Sequence, residues 1–507
     1  MLTRRQFGMG ALALGALGFT TTSATHDYTS RETFDLFDRV FHSSGGVGQP
    51  GDTNEHGGLA WGQSYVLLGF MRMYEAYRDT HYLDRLVENA DQVLANRDSA
   101  RGVTDHSGRS LPAWRAMHPY TVGKTLLRDA GGTPLLEVRS ALSYADEAVA
   151  TVTAGSSADR FSLEVRNNRT ARVATFPDLS LDPASADYAV KRILAAYPTP
   201  TMVTARDPRD TPAGGVIPAL GPVPLVSEPV IFSVHTGMIT YPIAAFARIV
   251  LTDPSLWRRY KSKALEYVSA VKAAAAVHDA EWRQTDDGRG YFVWNKGTPL
   301  AYDGTEQPTN QSLALGQTYA ELAAATGDRA AKDRARRLAV TFSRELTVDA
   351  GDAYVWSYWP TFGKVYQGFD AASGVSEYTP SLTAGARQIE DLSHGAIDVE
   401  FAVAAFRHKI FYSGRDMVRF ARTYSRNLVA TPGADGIATA NVRVDGTGGS
   451  TTAGQYLQAP RWMAVADWDA AVLPHARAIY EGRAVEPQQG SYLACVAYLN
   501  WQARRGS

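Results

Sequence analysis

The 507-residue chain has a single cysteine, Cys495, so no intramolecular disulfide can form, and stability must come from packing or a metal. Neither sign of charge is in excess. Lys+Arg 51 against Asp+Glu 52 leave a formal net charge of -1, which gives no bulk attraction for nucleic acid. Past the N-terminus, no uninterrupted apolar run is long enough to span a bilayer, which argues against integral membrane association. No HExxH and no close His/Cys ligand set is present, so no metal residues can be assigned. DGTGGS at 445–450 lacks the ligand spacing of an EF-hand loop and reads as a turn. No motif for nucleotide binding occurs either. With 45% hydrophobic residues, the chain can bury a large core.

The first residues read as an address. Arg4 and Arg5 precede the Gly/Ala-rich run GMGALALGALGF, and TTTSAT then offers small residues for cleavage, so residues 1–25 are expected to be a twin-arginine-like or other secretory signal and the protein to be secreted. A local pattern then occurs twice: LAWGQSYVLLGFMRMYEAYRDTHYLDR at 59–85 and LALGQTYAELAAATGDRAAKDR at 313–334. Each copy is an amphipathic helix that breaks at polar residues and leads into a second helix. Further helical periods are expected over 30–41, 134–155, 181–197, 234–250, 390–409 and 459–503, with Thr80 capping the helix that follows it. The fold these predict is all-α dominated. It is an (α/α) barrel or toroid of repeated helical hairpins forming one catalytic domain over 26–507, with small β-rich insertions around 198–232 and 430–450.

Four helices share a polar, Gly-containing lead-in: NEHGG at 54–58, SVHTG at 233–237, PTNQS at 308–312 and EDLSHG at 390–395. Helix starts carry free amide groups that favour an anion or a carboxylate, so lead-ins collected at one end of a helical ring would form a cleft. Capping alone is the plain alternative for Asn310, Asp391 and Ser393. Trp61, Trp114, Trp294, Trp356, Trp359 and Trp462 lie beside Gly, Pro or polar residues, which favours an extended sugar groove over a small closed pocket.

On NEHGGLAWGQSY, SVHTGMITYP, QPTNQSLALGQTY and EDLSHGAIDVEF, the chain resembles exported helical-toroid enzymes that act on polysaccharides, in particular polysaccharide lyases and uronyl C5-epimerases. The resemblance spans about residues 50 to 500. It implies cleavage of an acidic polysaccharide or oligosaccharide by removal of a uronate C5 proton and β-elimination, with no cofactor required. The roles it implies fall on His235, His394 and Tyr302 for proton handling. Asn54, His56, Trp61, Tyr241, Trp294, Asn310, Tyr358, Trp359 and Glu390 would bind substrate. The Asn-Asn-His lead-in of some toroidal lyases is absent; NEH at 54–56 only approximates it. A structural or carboxylate-bridging calcium is the one metal role considered. The main alternative is a glycoside hydrolase using two acids among Asp52, Glu55, Asp303, Glu306, Glu390, Asp391 and Asp398. A uronyl C5-epimerase and a non-catalytic carbohydrate-binding protein are the others.

Overall fold

A computed structural model describes residues 26–450, 453–483, 485 and 487–505, so the export segment expected over 1–25 lies outside the described residues. Helices outnumber strands, but the strands form several small antiparallel sheets, and the fold is mixed α/β rather than all-α. The chain opens with α1 (Arg31–Ser44), α2 (Ser64–Tyr77), α3 (His81–Ala95) and the single turn α4 (Asp98–Arg101). A π-helical turn, Leu59–Gln63, runs directly into α2. Thr80 stands before α3 but its side chain makes no cap. Asp79 does so instead, its Oδ1 accepting from the His81 N–H at 2.9 Å.

The largest departure from expectation comes next. Residues 115–231 form a β-rich insertion with strands β1 (Arg115–Ala116), β2 (Gly123–Arg128), β3 (Pro134–Ser140), β4 (Ala148–Ala154) and β5 (Arg160–Asn167). It continues through β6 (Arg172–Ser180), the short helix α5 (Ala189–Ala195), β7 (Val203–Arg206), β8 (Leu220–Pro224), β9 (Val226–Ser227) and β10 (Val230–Ile231). Two four-stranded sheets, ordered β7-β3-β2-β9 and β6-β5-β4-β8, share a core of their own that includes Leu136, Val138, Val152, Leu163 and Val165. The helix expected over 134–155 is therefore β3 and β4. In β4 the alternation buries Ala148, Ala150 and Val152 on one face, a strand period. Only α5 forms of the helix expected over 181–197. β1 pairs antiparallel with β10, Arg115 opposite Ile231, and this clasps the two ends of the insertion together.

The helical body resumes with α6 (Ser233–Thr252), α7 (Trp257–Ala276), α8 (Thr309–Thr326), α9 (Arg329–Glu345) and the turn α10 (Lys364–Gln367). It ends with α11 (Leu392–Arg407), α12 (Gly414–Arg422), the turn α13 (Ala453–Tyr456), a 3-10 segment Ala459–Trp468, α14 (Val472–Glu481) and α15 (Gly490–Arg505). The hairpin expected within 430–450 lies slightly earlier, with Val429–Ala430 paired to Thr439–Ala440. Cys495 is buried in α15. α6 is long and apolar enough to cross a membrane by length and composition, despite its polar interruptions, yet it is mostly buried inside the helical body.

Neighbouring helices pack in order: α2 on α6, α6 on α8, α8 on α11, α11 on the 3-10 segment, that segment on α15, and α15 on α2. α3, α7, α9, α12, α14 and α1 lie against this inner set. Residues from all six inner segments, among them Ser64, Tyr241, Gln317, Glu400, Arg461 and Tyr498, line one narrow cavity. Towards the far ends of the inner helices, Arg72 pairs with Glu400 and with Glu75 (2.6 Å), Arg248 pairs with Glu321 and Glu75, and His408 meets Glu321 at 3.0 Å. Tyr241 and Tyr498 both donate to Glu400, at 2.6 and 2.8 Å.

Gly237 sets how closely α6 and α8 approach. A Cβ there would come within 2.3 Å of the Leu315 backbone nitrogen, and backbone cannot step aside as a flexible side chain would. Gly237→Ala is expected to destabilise by about 2 kcal/mol or more, while Gly221→Ala, with open space around it, should be nearly neutral. Thermal unfolding of the two variants checks this; equal midpoints would remove the close approach as a constraint.

Candidate active site

The starts of the inner helices meet one another. Asn54, ahead of α2, reaches His235 in the first turn of α6; Ser233 of α6 bonds Gln307, ahead of α8. Asn310 of α8 donates to Glu390 at 3.1 Å, Arg461 donates to the Ser393 carbonyl at 3.0 Å, and Gly490 of α15 lies against the Gly62 carbonyl. Most of the predicted site residues fall into two clusters on either side of the start of α8.

The first cluster surrounds His235, which is 1% exposed. The Ala60 N–H donates to Asn54 Oδ1 at 3.0 Å, and this fixes the amide so that Nδ2 donates to His235 Nδ1 at 3.1 Å. The imidazole is thereby held as the tautomer with its proton on Nε2, and Nε2 has no second partner among the described residues. The rings of Trp61, Tyr120 and Phe232 enclose it at centroid distances of 5.4, 5.0 and 5.1 Å. Burial lowers the His235 pKa to about 3, so the ring is neutral at ordinary pH. Tyr120 donates to the His56 carbonyl at 3.3 Å, and burial, then Tyr144, raises its phenol pKa. Gly57, at φ +78°, makes room for that hydroxyl, which would lie 2.2 Å from a Cβ. The His56 ring is not in the His235 cage. It is exposed and stacks on His118 at 3.8 Å and 4°, and His118 Nδ1 lies 2.8 Å from Asp146.

The second cluster is built on the first turn of α11. Asp391 caps the helix, its Oδ1 accepting from the Ser393 and His394 N–H groups, while its Oδ2 meets His394 Nδ1 at 2.7 Å. Burial alone would lower the His394 pKa, but the Asp391 carboxylate, then Glu390, holds it up at about 9. Burial opposes ionisation of Asp391 as well, and the His394 charge more than offsets that, lowering its pKa. Behind them Glu390 and Asp398 are fully buried. Burial raises both carboxyls well above the usual range, and for Glu390 the Asp398 charge adds to it. Asp398 Oδ2 accepts from Trp356 at 2.8 Å, while its Oδ1 is buried without a hydrogen-bond partner among the described residues. Tyr358 lies 5.5 Å from His394, Trp359 5.2 Å from Tyr358, and Tyr302 and Trp294 lie 5.4 and 6.2 Å from Trp359. Burial raises the Tyr302 pKa to about 12.

His235 and His394 do not touch, and Tyr302 connects to His394 through Trp359 and Tyr358, so the three proton-handling candidates do not converge on one point. Tyr241 lies outside both clusters, bonded to Glu400 in the ion network. Tyr120 was absent from the sequence-based site, and Asp398 entered only as a candidate hydrolase acid. Tyr120 sits in an aperiodic loop, MHPYTVG, that only the folded insertion brings to His235. Glu390, Asp391 and His394 each offer a ligand atom within 4.8 Å of one another, a set that could hold a metal ion. One nitrogen and two carboxylates suit a transition ion better than calcium, which prefers an all-oxygen shell. No protein-family model, curated protein or solved structure matches the chain.

The His394–Asp391 pair makes stability depend on pH. The raised histidine contributes stability that is full below its unfolded value near 6.5 and is lost as pH rises through about 9. His394→Gln should therefore melt below the parent protein at pH 6, with the difference closing by pH 10. A deficit that persists unchanged at pH 10 would show that packing, not charge, is what the histidine supplies.

Proposed function

We propose that the chain is a carbohydrate-active lyase that cleaves a uronic-acid-containing polysaccharide, and that its helical body is an (α/α) toroid. The ordered packing of the six inner segments, their shared axial cavity and the contacts between their first turns support the toroid. The observation that carries the chemistry is the cage in which Asn54 fixes a neutral His235 against the Tyr120 ring, whose hydroxyl bonds the His56 carbonyl.

A uronate C5 proton is weakly acidic because its loss puts charge beside a carboxylate. The His235 Nε2–H, preorganised by Asn54, is suited to donate to that carboxylate and stabilise the enediolate. The Tyr120 oxygen, as phenolate, takes the C5 proton; the C4–O4 bond then breaks, C4=C5 forms, and the phenol returns the proton to O4. His394, held cationic by Asp391, adds fixed positive charge at the same end of the body. Secretion agrees with an extracellular polymer, and the arginine pair before an apolar run supports it.

The acids needed by a hydrolase are engaged elsewhere. Asp52 accepts from the Gly48 and Gln49 N–H groups, Glu55 pairs with Arg101 and Arg115, and Glu306 accepts from the Lys364 N–H. Asp303 is fully buried and accepts from the Gly297, Glu377 and Tyr378 N–H groups. Glu390 and Asp398 share one buried cluster with Asp391 rather than facing one another across a groove.

Purified protein should generate C4=C5 absorbance from one of alginate, glucuronan or a glycosaminoglycan, and Tyr120→Phe and His235→Asn should each lower turnover at least about 100-fold. Because burial raises the phenol pKa, kcat/KM should climb from pH 7 to 10. New reducing ends without absorbance would replace the lyase by a hydrolase. Deuterium entering C5 without cleavage would replace it by an epimerase.

A further inference from the structure

Beside the His235 cage lies a cleft of about 320 Å³, lined by the 105–109 loop, Val230 and Ile231 of β10, Val277 and Glu281 after α7, and Asn295 to Thr298. This volume is within the range of small-ligand pockets. It is next to the candidate chemistry: Ile231 precedes Phe232, whose ring packs on His235, and Glu281 accepts from Gln307, which bonds Ser233 of the same helix turn.

The polar groups of the lining are not equally available. Asp105 is saturated by its own loop: Oδ1 accepts from Ser107 and from the Arg109 N–H, and Oδ2 accepts from the Arg109 guanidinium at 2.8 and 3.0 Å. Glu281 Oε2 already accepts from His278 at 2.9 Å and Gln307 at 3.2 Å. The donors are freer. Lys296 is exposed, bonds only the Gly374 carbonyl at 2.6 Å, and has no carboxylate partner among the described residues. The outer nitrogen Nη1 of Arg109 makes no bond to Asp105, and its side chain is 58% exposed. The Nδ1 of His106 is buried without a partner. Val230, Ile231 and Val277 supply an apolar wall. A ligand that fits must offer a negative charge to Lys296 and Arg109, hydroxyls to Asn295 and Thr298, and a weakly polar face to the valines and isoleucine.

We infer that this cleft is a binding subsite for one uronate residue of the polymer, with Lys296 as its carboxylate-binding cation and Arg109 as a second donor. The inference rests on the polysaccharide reading above. It adds a residue that sets affinity for the acidic sugar without taking part in proton transfer.

The test is calorimetric binding of oligouronates, sulfated neutral oligosaccharides and plain neutral oligosaccharides to the full-length Tyr120→Phe protein, where turnover does not interfere. Lys296→Gln is expected to weaken oligouronate binding about tenfold, Arg109→Gln to weaken it less, and Lys296→Arg to retain it. Added salt should weaken the parent and leave Lys296→Gln comparatively insensitive. Unchanged oligouronate affinity in both glutamine variants, with the parent still binding, would overturn the subsite and leave the lyase reading standing. Absence of any oligouronate binding by the parent would remove the polysaccharide reading itself. Tighter binding of the sulfated sugar, with the same dependence on Lys296, would overturn the uronate assignment.

Discussion

The arrangement depends most on charge buried among the inner helices. Arg72, Glu75, Arg248, Glu321, Glu400 and His408 come from α2, α6, α8, α11 and the residue that ends α11, and each must find its partner because an unpaired ion in this interior is strongly unfavourable. Arg72 also lies 4.3 Å from the Trp501 ring of α15. Such pairing adds little net stability over a well-packed apolar core, but it tolerates no slip of one helix along another. A displacement of one turn would separate several ions at once. With the far ends locked in register, the near ends are fixed too. Asn54 then meets His235, and Asn310 meets Glu390, without a framework of their own.

The helical body was legible because its signal is local. The apolar spacing in LAWGQSY and LALGQTY and Asp391 at a helix start both act within a few residues. The insertion was not legible for a matching reason. PLLEVRSALSYADEAVATVTAG contains enough Leu, Val and Ala to satisfy a helical spacing, and only pairing with distant strands, such as Val138 with Ala205, selects the extended form. Strand preference there is decided by tertiary partners. Tyr241 shows the same limit at the scale of one residue: it shares α6 with His235, but lies far enough along the helix to reach Glu400 instead of the cage.

The two histidines also show how burial assigns different roles to one side chain. His235 has an amide and aromatic rings for neighbours and stays neutral; His394 has two acids for neighbours and is charged. Sequence placed both at helix starts but could not tell them apart, because what separates them is who stands opposite. The helix starts thus present a neutral donor on one side of α8 and a cation on the other. Buried aromatic rings lead away from the cation, from Tyr358 to Trp359, which touches both Tyr302 and Trp294.

The insertion bears on the order in which the molecule can assemble. Asn54 and His235 are 181 positions apart, and the whole β-rich insertion lies between them. A flexible loop of that length resists closure, and the entropic penalty grows with the logarithm of its length. The antiparallel clasp of β1 and β10 removes most of that length by holding Arg115 opposite Ile231. Once the clasp has formed, the cage need only close residues 54–115 on one side of it and 231–235 on the other. The insertion is in this sense a tether of fixed span between the two halves of the histidine cage.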